Sequence, residues 1–176
     1  HLYETQAQNL PNGMEVDGRA GILRIDQEGK PVEGGILGSK YPLNLYYAYG
    51  IKNSFGIDFD PVTGNLWDTE NGPTFGDEVN LVEPGFNSGW KKIQGIWNVN
   101  STLGKDGKAP INSEDLVNFE NKGKYSPPEF TWDRSVAPTA LKFLDTDKLG
   151  PEYENDILVG DIKYGNIYLF ELSSDR

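Results

Sequence analysis

The stretch WDTENGPTFGDEVN, Trp67 to Asn80, holds four carboxylates (Asp68, Glu70, Asp77 and Glu78), two side-chain amides and a Gly-Pro pair. Oxygens at this density either face a hard cation, since calcium accepts about six to eight of them with backbone carbonyls included, or form a solvated acidic turn. The spacing fails the EF-hand pattern. Counted from Asp68, the fifth and sixth positions are Gly72 and Pro73, and counted from Asp145 the fifth is Leu149, which has no side-chain oxygen. Gly72-Pro73 offers another chemistry: proline lacks an N–H and glycine permits close backbone approach, so their carbonyls can turn toward an ion. The plainer reading of the same pair is a strand-ending turn. Lys52-Asn53 and Lys163 lie beside or within strand-like runs, where a lysine either holds an anionic ligand or is merely solvated. His1 is the single histidine, at a terminus expected to fray, and cysteine is absent. A serine-histidine hydrolase, a thiol nucleophile, a disulfide and a histidine- or cysteine-based metal site are therefore excluded for this chain.

The elements that must position these residues read as strands. The apolar runs are short, β-branched or aromatic, and punctuated by 21 glycines and 11 prolines. No stretch of a dozen residues carries a helical period. An internal repeat organises the runs. FGIDFD, NLWDTE and EVNLVE, within Ser54 to Gly85, recur in order as TALKFLD, DILVGDI and NIYLFEL within Ala137 to Asp175. An aromatic run precedes each copy, LYYAYG before the first and EFTWD before the second. RAGILRIDQEG (Arg19 to Gly29) supplies the third strand of an earlier copy, for about nine strands in all. Four-stranded antiparallel units at this spacing predict an all-β fold, a partial β-propeller of about two to three blades, because closed rings have about four to eight. The open ends of such an arc call for covering, by missing blades or by another copy of the chain. The whole of 1–176 is expected to form a single domain. A long segment around 86–127 separates the two copies and is either functional or a tolerated surface excursion, with a polar middle from Ser101 to Lys124 that is expected to be mobile. It contains the sequon Asn100-Ser101-Thr102.

The totals limit the partners. Sixteen Lys and Arg against 27 Asp and Glu give a formal charge of −11, which repels phosphate backbones, so nucleic acid is not expected. The longest apolar runs, such as LNLYYAYGI (Leu43 to Ile51), fall far short of the roughly 20 residues of a spanning helix, so no membrane span is expected. The start HLYETQAQ has no basic-then-apolar leader pattern.

The order YAYGIKNSFGIDFDPVTGNLWDTENGPTFGDEVNLVEPGFNSGW strongly resembles the glucose/sorbosone dehydrogenase family, soluble quinoproteins that use pyrroloquinoline quinone (PQQ) and calcium on a six-bladed β-propeller. The likeness runs from TQAQNLPNG and GRAGILRI to SVAPTALKF and DILVGDIKYGNIYLFEL, nearly the whole chain. It implies that the Gly72 and Pro73 carbonyls hold the calcium that bridges to the cofactor, that Asn53 contacts the quinone, that Lys163 pairs with a cofactor carboxylate and that Ser135 adds a hydrogen bond. Glu78 resembles a ligand of a second, structural calcium. The implied reaction is hydride transfer from the anomeric carbon of a sugar to PQQ, in an extracellular or periplasmic protein. Two positions depart from the family. Its arginine is Lys52 here, which keeps the charge but loses the planar fork. Its histidine base belongs to an upstream blade, so no catalytic base is assigned in this chain and the chain alone is expected to be inactive. A propeller scaffold without redox function, and a glycoside hydrolase using paired carboxylates such as Asp68 and Glu78, are the alternatives.

Overall fold

The computed structural model describes residues 4–109 and 115–173; His1 lies outside the described residues. In chain order the strands are β1 (Gly21–Leu23), β2 (Tyr46–Tyr49), β3 (Ser54–Phe59), β4 (Leu66–Glu70), β5 (Asp77–Val82), β6 (Phe86–Asn87) and β7 (Ile93–Gln94). They continue with β8 (Trp97–Val99), β9 (Lys105–Lys108), β10 (Lys124–Tyr125), β11 (Phe130–Trp132), β12 (Pro138–Phe143), β13 (Ile157–Asp161) and β14 (Ile167–Phe170). The only helical pieces among the described residues are three-residue 3₁₀ turns, and no helix is long and apolar enough to cross a membrane.

Both copies of the repeat become sheets. The second sheet runs β3-β4-β5-β11 and the third β12-β13-β14, antiparallel throughout. The aromatic run that heads each copy in sequence belongs in space to the sheet before it. Phe130–Trp132 pairs with β5, and Tyr46–Tyr49 with β1 of the first sheet. Phe130–Trp132 thus closes the second sheet as its edge strand just before the chain begins the third, and Tyr46–Tyr49 joins the first sheet just before the chain begins the second.

Packing follows from the two-residue period. On β4 and β5 one face carries Trp67 and Val79, which join Leu141, Phe143, Ile157 and Val159 in the core between the second and third sheets. The opposite face carries Leu66 and Val82, which pack on Ala48, Ile51 and Phe86 of the first sheet. With both faces covered, all five residues of β4 are buried. The leading strands β3 and β12 meet backbone to backbone at Gly56, where a Cβ would lie 2.3 Å from the Thr139 carbonyl oxygen.

The segment between the copies builds structure of its own. Asn87 aligns in parallel with Tyr49, and β10 aligns in parallel with β6, which makes the first sheet a mixed one. β7, β8 and β9 form a small antiparallel sheet. Lys105 lies 4.0 Å from the centre of the Trp97 ring and pairs with Asp133, tying this small sheet to the turn after β11. At the sequon, Asn100 Oδ1 accepts hydrogen bonds from the Thr102 and Gly104 amides and closes a local turn.

Candidate functional site

Each face of β4 and β5 changes character at one end, and that change makes the site. On the face toward the first sheet, Leu66 and Val82 give way to Asp68, Glu70, Glu78 and Asn80, all at most 1% exposed. Register places Asp68 opposite Asn80 and Glu70 opposite Glu78. The Asn80 amide donates to Asp68 Oδ1 and Glu78 Oε2, both at 3.1 Å. Ser88 Oγ stands 2.7 Å from Glu70 Oε2 and 2.9 Å from Glu78 Oε2. A hydroxyl has one proton, so it donates to one glutamate at a time, and a proton on the other would let that one donate back. Burial favours such a proton. It pushes the Asp68 carboxyl up to about 6 and that of Glu78 up to about 7. Glu70 rises well above the carboxylate range through burial and then the charges of Glu78 and Asp68.

Lys52 closes this face. Its backbone N–H donates to Glu70 Oε1 at 2.7 Å, and its ammonium donates to the carbonyls of Asn71 and Gly72, 3.1 Å each. Burial lowers its pKa, while the charges of Glu70 and Asp77 oppose that fall. The Asn71 N–H donates to the Asn53 carbonyl and extends the β3–β4 ladder toward the corner, leaving the Asn53 side chain exposed.

Asp77, fully buried, ties the corner to the third sheet. Its Oδ1 accepts from the Gly72 N–H at 2.8 Å. Its Oδ2 accepts from Ser135 Oγ at 2.9 Å and from the Val136 and Ala137 N–H groups at 2.7 and 2.8 Å. Lys163, exposed in the turn after β13, donates to the Ser135 carbonyl at 2.8 Å. Lys52, Gly72, Asp77, Ser135 and Lys163 thus lie along one chain of hydrogen bonds that crosses between two sheets.

Of the residues singled out in the sequence, Lys52, Gly72, Ser135 and Lys163 meet in this network, with Asn53 and Pro73 beside it. Gly72 is buried and Pro73 half-buried. Glu78 lies on the other face, with Oε1 accepting from Gln94 Nε2 and the Gly95 N–H and Oε2 from Asn80 and Ser88. Among the described residues, no three His, Cys, Asp or Glu side chains are arranged to hold a metal. The organising role of Asp77, the Ser88 bridge and the Gln94 amide do not follow from spacing along the chain. The pairing of Glu70 with Glu78 does leave a sequence signal: Asp68 and Glu70 at alternate positions of one strand-like run, and Glu78 two positions before Asn80 on the next. The hydrolytic alternative fails for this pair, because Asp68 and Glu78 have no exposed surface with which to meet a glycoside.

The antiparallel second and third sheets, the second closed by the strand that precedes the third and their leading strands β3 and β12 converging, define part of a β-propeller with a polar corner between blades. The chain belongs to the glucose/sorbosone dehydrogenase family, whose model matches residues 4–176. It is 26% identical over 168 residues to the aldose sugar dehydrogenase YliI of Escherichia coli, an alignment that covers 94% of this chain and 42% of that protein. It is 32% identical over 101 residues to the quinoprotein glucose dehydrogenase B of Acinetobacter calcoaceticus, covering 51% of this chain and 20% of that one. The apo crystal structure of the soluble aldose sugar dehydrogenase of E. coli superposes with a TM-score of 0.69 at 23% identity, covering 97% of this chain and 45% of that chain. The PQQ-bound aldose sugar dehydrogenase of Streptomyces coelicolor superposes with a TM-score of 0.62 at 18% identity, covering 97% and 39%. The chain spans less than half the length of these relatives.

Proposed function

We propose that this chain is part of a PQQ-dependent aldose sugar dehydrogenase acting outside the cytoplasm, and that the corner between its second and third sheets is the cofactor-facing surface. The observation that carries the reading is the hydrogen-bonded run from Lys52 through Gly72, Asp77 and Ser135 to Lys163, in a chain that matches the sugar-dehydrogenase family along its length. PQQ, when bound, supplies an ortho-quinone that takes a hydride from the sugar's anomeric carbon. The chain's own residues bind and orient. Lys163, exposed and held by the Ser135 carbonyl through one of its three donors, offers an ammonium to a cofactor carboxylate. The exposed Asn53 amide offers donor and acceptor to the quinone edge. Ser135, held through its proton by Asp77, presents a lone pair. A base for the sugar hydroxyl is not assigned to any residue of this chain, which alone is expected not to turn over; other blades or a second copy would complete the ring.

Calcium fits neither the corner nor the Glu78 position with the side chains as they stand. The Gly72 carbonyl already accepts from an ammonium, and both oxygens of Glu78 are engaged by protein donors. No step is therefore assigned to the ion. The same engagement favours a second reading, a propeller that binds without redox turnover.

Titration of the protein with PQQ, followed through tryptophan fluorescence because Trp90 lies 5.9 Å from the Lys52 ammonium, tests the proposal. Saturable quenching is expected, weakened about tenfold in Lys163→Ala by loss of a charge-assisted contact. No saturable change up to about millimolar PQQ overturns it. Saturable binding without glucose-dependent dye reduction by the full-length protein selects the second reading.

A further inference from the structure

Two main-chain carbonyls at one corner, those of Asn71 and Gly72, point at the same ammonium. Converging carbonyls are the arrangement with which proteins hold hard cations. A lysine head group is itself a compact point charge with three donors, whereas a guanidinium spreads its charge over a plane. The surroundings suit a cation: Glu70 accepts from the Lys52 backbone, Asp77 sits behind Gly72, and the Trp90 ring lies beside the ammonium. The Asn71 carbonyl has little freedom to turn elsewhere, since it shares a planar peptide unit with the Gly72 N–H, which Asp77 holds; a side chain at 72 is excluded, because a Cβ there would lie 1.9 Å from the Phe75 carbonyl oxygen.

We propose that Lys52 serves as a built-in cation for the Asn71–Gly72 carbonyl pair, so that a divalent ion gains the Gly72 carbonyl only by displacing it. The inference rests on the misfit of calcium in the proposed function and deepens it: the Gly72 carbonyl is already taken by the ammonium. The corner is self-satisfied without metal, and its divalent affinity is set by the residue at position 52. A dication and an ammonium cannot share one carbonyl at hydrogen-bond and coordination distances without strong repulsion.

The test compares calcium binding to wild type and Lys52→Met, which keeps the apolar stem and removes the charge, by calorimetry without PQQ. Lys52→Met is expected to bind calcium at least about tenfold more tightly than wild type. Equal affinity in the two proteins, or no binding to either, overturns the proposal. Should Lys52→Met fail to fold, amine acetylation of wild type read by mass spectrometry decides the matter. Lys52 is expected to label several-fold more slowly than the exposed Lys142 and to be deprotected by excess calcium; labelling unchanged by calcium overturns the proposal. A failure of PQQ to bind sinks the proposed function but leaves this metal comparison intact, so the two are separable.

Discussion

At the scale of single residues, Asp77 does more than any of its acidic neighbours to define the corner. It is fully buried, yet each oxygen is matched by donors: the Gly72 N–H on one side, and the Ser135 hydroxyl with two consecutive N–H groups on the other. A carboxylate so placed fixes two chain segments far apart in sequence, and its removal leaves four donors without that acceptor, those of Gly72 and Val136 on buried residues. Asp77→Ala is therefore expected to cost about 3 to 5 kcal/mol, read as a lower urea midpoint. Asp77→Asn, which keeps the shape but brings N–H groups against N–H groups on one side, is expected to cost less than the alanine and more than a surface change. A midpoint within error of wild type for Asp77→Ala would show that the corner is not held by this side chain.

At the scale of elements, the convergence of β3 on β12 sets the angle between the second and third sheets. Gly56 allows it: a methyl group there would sit 2.3 Å from the Thr139 carbonyl oxygen, with the Leu141 nitrogen at 2.4 Å, both backbone atoms that yield only by moving a strand. Gly56→Ala is expected to cost about 1 to 3 kcal/mol and to lower the melting temperature by about 3 to 10 °C, because the strands must separate. Most of this architecture was legible in the sequence, since strand period, turn residues and a repeated order of three runs are local signals. FGIDFD and TALKFLD are matched in that order, and they are the strands that meet. The aromatic runs were legible as strands but not as closing strands of the preceding sheet, because hydrogen-bond partners are chosen by tertiary geometry and leave no mark on a run's own composition. The site was legible in part. Gly72 and Lys163 carry family motifs, whereas the contact of Lys52 with the Gly72 carbonyl depends on a rotamer and a turn that no periodicity encodes. Ser88 and Gln94 were hidden for the same reason: they reach the carboxylates from a segment that reads as a linker.

At the scale of the whole molecule, the fold carries a net charge of −11 and keeps Asp68, Glu70 and Glu78 together in its interior, which fixes how stability responds to pH. Burial raises all three carboxyls, that of Asp68 to about 6 and that of Glu78 to about 7, while in the unfolded chain they return to the ordinary range near 4. Between those limits the native state holds more protons than the unfolded state, so stability falls as pH rises. The contribution is fully present below the unfolded value and is lost as pH passes through about 6 for Asp68 and about 7 for Glu78. Self-repulsion among the ionising surface carboxylates has the same sign. In chelator-containing buffer the urea midpoint is thus expected to decline steadily from about pH 5 to pH 8, opposite to a protein stabilised by ion-paired carboxylates. Asp68→Asn, which cannot ionise and can still accept from Asn80, is expected to flatten the acidic part of that decline while leaving the part near pH 7. A midpoint that rises over this range would mean that the buried acids are stabilised as anions, and that the proton shared around Ser88 is absent.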